Sequence, residues 1–206
     1  MNAESPENNF INFIKSNSKI FIYATTILFL IVVLSSWFFY ESKQEKIKIS
    51  ENFIRAKILL ENKNEKEATK ILKEIVEKKN TIYSSLSLFL LIDKNLIEDK
   101  KIILDYFDKV ISSNSYSEED TNLLRLKKAI YISDIQEEQE MLKLLNPIIK
   151  SNSVWKIQSL RFLGDFYYSI SQFKKAQQYY SILLEEENND ISKAEINRKI
   201  DSIKNE

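Results

Sequence analysis

The stretch LRFLGDFYYSISQFKKAQQYYSIL, residues 160–183, decides the fold. Its apolar residues recur at helical spacing on either side of the polar break Ser171-Gln172, with no alternating strand-like pattern. Leu160, Leu163, Gly164 and Tyr167 mark the first segment, and Ala176, Tyr180 and Leu183 mark the second. Gly164 is followed three residues later by an aromatic, twelve later by a second small residue, Ala176, and sixteen later by another aromatic. Two small residues let paired helices approach closely, while the large ones fill the space around the crossing. The spacing predicts a helical hairpin with Gly164 and Ala176 at its contact. In that register Gly164→Leu overpacks the hairpin, whereas Gly164→Ala is tolerated if the position is plain helix.

Working towards the N-terminus, the same frame fits Ala56, Leu59, Ala68, Leu72 and Ile75, and more loosely Ala129, Ile132, Met141, Leu145 and Ile148. Between these, Leu91 and Ile103 replace both small residues, and Lys94 falls where an apolar residue belongs. The key positions Ala56, Leu91, Ala129 and Gly164 lie 35, 38 and 35 residues apart, near the roughly 34 of the tetratricopeptide repeat, which the last unit resembles. The close-packing set is therefore Ala56, Ala68, Ala129, Gly164 and Ala176. Polar breaks at 62–64, 79–80, 93–95, 112–117, 133–134, 151–153, 171–172 and 188–190 delimit helices from Glu41 onward, with a last one over 191–206. Pro147 shortens or kinks the second helix of the third unit. The expected fold is all-α: one transmembrane helix, then a tetratricopeptide-like α-hairpin solenoid of about four divergent repeats over 41–190, and a C-terminal capping helix over 191–206. A generic helical bundle is the competing reading.

Upstream, Ile20 to Tyr40 is 21 residues without a charge. A helix of that length spans roughly 31 Å, against about 30 Å of bilayer hydrocarbon. Thirteen of the residues are Ile, Leu, Val or Phe, each contributing about −0.3 to −0.6 kcal/mol to insertion at the membrane centre. Tyr23, Trp37 and Tyr40 sit near the ends, with Lys15, Lys19, Glu41 and Lys43 beyond them, as interfacial anchors do. A cleaved signal peptide has a shorter apolar run and a small-residue cleavage site, and a buried core helix shows a polar face; neither pattern is present. Residues 1–19 read as a short tail, in which Phe10–Lys15 either lies along the interface or belongs to a disordered segment. Orientation stays open: Lys and Arg number two before the span (Lys15, Lys19) and five in the 20 residues after it (Lys43, Lys46, Lys48, Arg55, Lys57). Taken literally this keeps the large domain inside, but long domains translocate largely regardless of charge.

Composition narrows the chemistry. Lys plus Arg and Asp plus Glu are both 30, scattered along the chain, so there is no basic stripe for nucleic acid. His and Cys are absent, which removes the usual zinc sites, thiol nucleophiles, imidazole triads and disulfides. The single glycine cannot write a P-loop or a dinucleotide fingerprint. Carboxylate clusters such as Glu118-Glu119-Asp120 and Glu185-Glu186-Glu187 read as solvated helix ends, since catalytic acids need burial to tune them. No catalytic residue, cofactor, metal or small-molecule substrate is expected, and the partners are proteins and a membrane.

The anchor followed directly by degenerate repeats, with Tyr83, the run Leu124-Arg125-Leu126, Trp155 and Leu163-Gly164-Asp165, resembles the YfgM-like family of bacterial ancillary SecYEG translocon subunits. The resemblance implies a short cytoplasmic N-terminus, one inner-membrane helix, and a periplasmic repeat domain that contacts the Sec translocon and a periplasmic chaperone or foldase such as PpiD. A cytoplasm-facing anchored scaffold for another membrane complex is the alternative.

In such arrays the first helix of each hairpin lines a concave face at positions three before, one after and four after the small residue. These are Phe53, Lys57 and Leu60; Leu88, Ile92 and Asn95; Leu126, Ile130 and Ser133; and Arg161, Asp165 and Tyr168. The candidate partner groove is therefore Leu88, Ile92, Leu126, Ile130, Arg161, Asp165 and Tyr168. Two readings remain: an open apolar groove, or a core covered by the C-terminal helix, whose Ile196, Ile200 and Ile203 form a stripe.

Overall fold

In a computed structural model, described over residues 18–113, 116–135, 137–186 and 190–204, every regular element is helical. In chain order these are α1 (Ser18–Glu61), α2 (Glu65–Glu77), α3 (Tyr83–Asp93), α4 (Lys100–Ile111), α5 (Glu118–Ile132), a 3-10 turn (Ser133–Ile135), α6 (Glu138–Ile149), α7 (Lys156–Ser169), α8 (Phe173–Glu186) and α9 (Asp190–Lys204). The expected tail, its Phe10–Lys15 stretch and the break at Asn188-Asn189 lie outside the described residues. The chain divides into two compact units, residues 1–51 and 52–206.

In the first unit α1 carries the apolar segment. The helix does not stop at Tyr40 but runs on without a break to Glu61, because nothing between these residues is a helix breaker. The apolar part is exposed within the protein, from Ile22 through Leu34 and on to Trp37, Phe38, Phe39 and Tyr40. Hydroxyls in this segment return to the backbone one turn back: Thr25 Oγ1 and Thr26 Oγ1 donate to the Ile22 carbonyl at 3.0 and 2.8 Å, and Ser35 Oγ to Ile31 at 2.7 Å. A side chain so satisfied carries little penalty in hydrocarbon. The segment has the length and composition to cross a membrane, as a signal sequence near an N-terminus also would.

The second unit is built of helical hairpins. α2 with α3, α5 with α6 and above all α7 with α8 pair most closely. The pair α3–α4, where sequence spacing placed the second hairpin, is looser. Its connection, residues 94–99, is long and folds Ile97 inward. With Leu91 and Ile103 at the crossing in place of small residues, these two helices cannot close to the distance the others reach. The expected small residues are all buried: Ala56, Ala68, Ala129 and Ala176 have no exposed surface, and Gly164 is likewise interior. Pro147 sits in the last turn of α6, which ends two residues later.

Helix ends show how a chain with one glycine makes its turns. Asn64, Asp99 and Ser117 cap α2, α4 and α5 through their side chains, satisfying first-turn N–H groups. At the C-terminal ends Lys63, Lys79, Asn95 and Ser171 take positive φ of 61°, 51°, 49° and 58°. Three of them sit in paired cap bonds: Asn64 N–H to Leu59 with Lys63 N–H to Leu60, Leu96 to Leu91 with Asn95 to Ile92, and Gln172 to Tyr167 with Ser171 to Tyr168. Glycine usually fills this left-handed position because a Cβ there costs roughly 1–2 kcal/mol. Here the one glycine is elsewhere, in the middle of α7.

Gly164 is kept for packing. A Cβ built on it falls 2.5 Å from Cε1 and 2.6 Å from Cδ1 of Tyr180 on α8. The ring is fully buried and its hydroxyl donates to Asp165 Oδ1 at 2.6 Å, so it cannot swing aside. Burial, and then the Asp165 carboxylate, push the Tyr180 phenol above its ordinary pKa and keep it a donor. The tolerance expected for Gly164→Ala is therefore corrected. The glycine faces a locked ring, not open helix surface.

Two outcomes follow for unfolding of the detergent-solubilised chain monitored by circular dichroism. Gly164→Ala lowers stability by about 1–3 kcal/mol despite its better helix propensity, and adding Tyr180→Leu recovers part of that loss; strict additivity of the two changes refutes the contact. Ser171→Gly raises stability by roughly 1 kcal/mol.

Candidate partner-binding surface

α3 reads YSSLSLFLLID, with its apolar residues spread around the helix and no charge before Asp93. Such a helix is ordinarily buried all round. Its inner face is: Ser84, Ser87, Leu88 and Leu91 have no exposed surface. Its outer face is not, for Ile82 is 60% and Leu86 42% exposed. Asn80 Oδ1 accepts from the N–H groups of Ile82 and Tyr83, both at 3.0 Å, and Ser84 Oγ donates to the Ile75 carbonyl of α2 at 2.7 Å. The rotation of α3, and with it the outward stripe, is thus fixed by its first turn.

α5 is held from three sides. Ser117 accepts from Asp120 N–H at 3.1 Å and donates to its carboxylate at 2.7 Å. The Glu119 carboxylate accepts from Ser153 Oγ and Val154 N–H, and Trp155 Nε1 donates to the Glu119 carbonyl. Further along, the Lys128 ammonium, its side chain only 7% exposed, reaches Asp108 of α4 at 2.7 Å and Glu140 of α6 at 3.9 Å. A buried cation so paired resists rotation, since losing either carboxylate leaves it undersatisfied.

Between α3 and α5 lie two clefts that share Phe89. One, about 370 Å³, is lined by Phe89, Ile92, Asp93, Phe107, Lys127, Ile130 and Tyr131. The other, about 260 Å³, is lined by Thr81, Ile82, Ser85, Leu86, Phe89, Tyr116, Asp120, Leu123 and Leu124. Along α3 and its N-cap the wall residues Ile82, Leu86, Phe89 and Ile92 recur at four, three and three residues, and along α5 Asp120, Leu123, Lys127 and Ile130 at three, four and three. Each wall is one helical face. Lys127 is exposed and has no ion pair among the described residues.

The residues singled out from spacing separate into three groups. Leu88 and Leu126 are core, 0% and 4% exposed; at three residues before the crossing they lie only about 60° around the helix from it and share its burial. Ile92 and Ile130, one residue after the crossing and turned about 100° away, reach the surface and meet in one cleft. Arg161, Asp165 and Tyr168 are met by α9: Arg161 pairs with Glu195 at 3.7 Å, Asp165 with Lys199, and the Tyr168 hydroxyl lies 3.4 Å from Ser202 Oγ. Ile196 and Ile200 of α9 are buried in the same core as Leu163 and Tyr180, with Ile203 against it. In the first hairpin Phe53 packs on Tyr83, ring centroids 5.4 Å apart, and Lys57 is exposed. Leu88 and Leu126 are thus core, Leu126 in one cluster with Ile196 and Ile200 of α9, whereas Ile92 and Ile130 line an open cleft. Ile82, Leu86, Phe89, Leu123 and Tyr131 were missed by the repeat frame; for the first three the signal was the spread of apolar residues around α3, and for the two on α5 no signal was evident.

Among the described residues no group of three or more His, Cys, Asp or Glu side chains is placed to hold a metal ion. Glu138 accepts from Lys175 Nζ at 2.6 Å and from the Tyr167 hydroxyl at 2.8 Å, and these bonds, Lys175 first, hold its carboxyl below the ordinary 4.5. That arrangement joins α6, α7 and α8. Comparison with family models, with curated proteins and with solved structures finds no match.

Because the folded-state pKa of Glu138 is depressed, its contribution to stability is present above pH 4.5 and fades as the pH falls through the lower folded value. Glu138→Gln accordingly narrows the stability gap between pH 6 and pH 3 in urea titrations; an unchanged gap refutes the assignment.

Proposed function

We propose that the chain is a membrane-anchored, non-catalytic interaction scaffold whose tetratricopeptide-like repeats serve the Sec translocon and periplasmic chaperones that handle exported proteins. The observation that carries this reading is the open apolar groove between α3 and α5, with Ile82, Leu86 and Ile130 each more than two-fifths exposed. Exposed apolar side chains gathered along neighbouring clefts suit a protein partner. The uncharged run of α1 supplies the anchor, and its unbroken continuation to Glu61 supports retention over cleavage. The YfgM-like resemblance supplies the translocon and the periplasmic side of a bacterial inner membrane. A cytoplasm-facing scaffold for another membrane complex is the second reading, favoured by the five Lys and Arg residues that follow the span.

The protein is expected to stay in the membrane fraction after alkaline carbonate washing, and recovery of a mature chain starting near Ser42 overturns the anchor. Protease added to spheroplasts digests the C-terminal domain if it is periplasmic; protection until lysis transfers the proposal to the cytoplasmic reading. Photocrosslinking from Leu86 in intact membranes is expected to capture translocon or chaperone subunits.

A further inference from the structure

We draw no further inference here: the strongest candidate, the pair of apolar clefts between α3 and α5 that share Phe89, is the surface on which the proposed function already rests, and nothing in the structure shows what covers it.

Discussion

The Tyr180 ring occupies the place where a side chain on residue 164 would begin, and the C-terminal half of the domain is organised around that contact. Without a Cβ at 164, α7 and α8 close onto each other and bury Leu163, Tyr167, Ala176 and Leu183 together. The ring is held in turn by its hydroxyl on Asp165, and the same carboxylate oxygen receives Lys199 of α9. One close approach therefore sets the hairpin, aims Asp165, and gives the last helix its seat. A methyl group at 164 disturbs all three, because packed interiors transmit small volume changes.

Glycine use across the chain follows from the same pressure. Among the described residues four helix ends take the left-handed conformation, with Lys, Asn or Ser. Those turns face solvent, where strain of roughly 1–2 kcal/mol is the only consequence. At the α7–α8 crossing the obstacle is steric overlap with a fixed ring, which no backbone adjustment relieves without separating the helices.

Surface chemistry changes along the domain. Where α9 meets α7, charged pairs stand beside buried isoleucines; where α5 stands beside α3, the facing side chains are mostly apolar and line open clefts. An interior-like helix such as α3 is tolerated at a surface when its exposed stripe is matched to a ligand, and it is an aggregation hazard otherwise. Polar ties at Asn80, Ser84 and Lys128 keep that stripe facing outward and prevent α3 and α5 from rotating to hide it.

How much of this was legible before folding differs by residue. Helical periodicity and polar breaks located the helices, because amphipathic spacing and helix-stop chemistry act over a few residues. The uncharged run from Ile20 to Tyr40 showed, for the same reason, a segment with the length and composition to cross a membrane, and Gly164 with Ala176 marked the tightest hairpin. Tertiary structure alone decided the rest. Leu88 and Ile92 have the same side-chain chemistry and differ only in angle around one helix, so which of them is core and which is surface depends on where α2, α4 and α5 stand. That the obstacle at Gly164 is Tyr180, sixteen residues away, depends on how two helices cross. That α9 meets α7 through Asp165 and Lys199 depends on residues 34 apart brought together by folding. Local sequence sets the period of each helix; the angle at which each one faces its neighbours is a property of the packed whole.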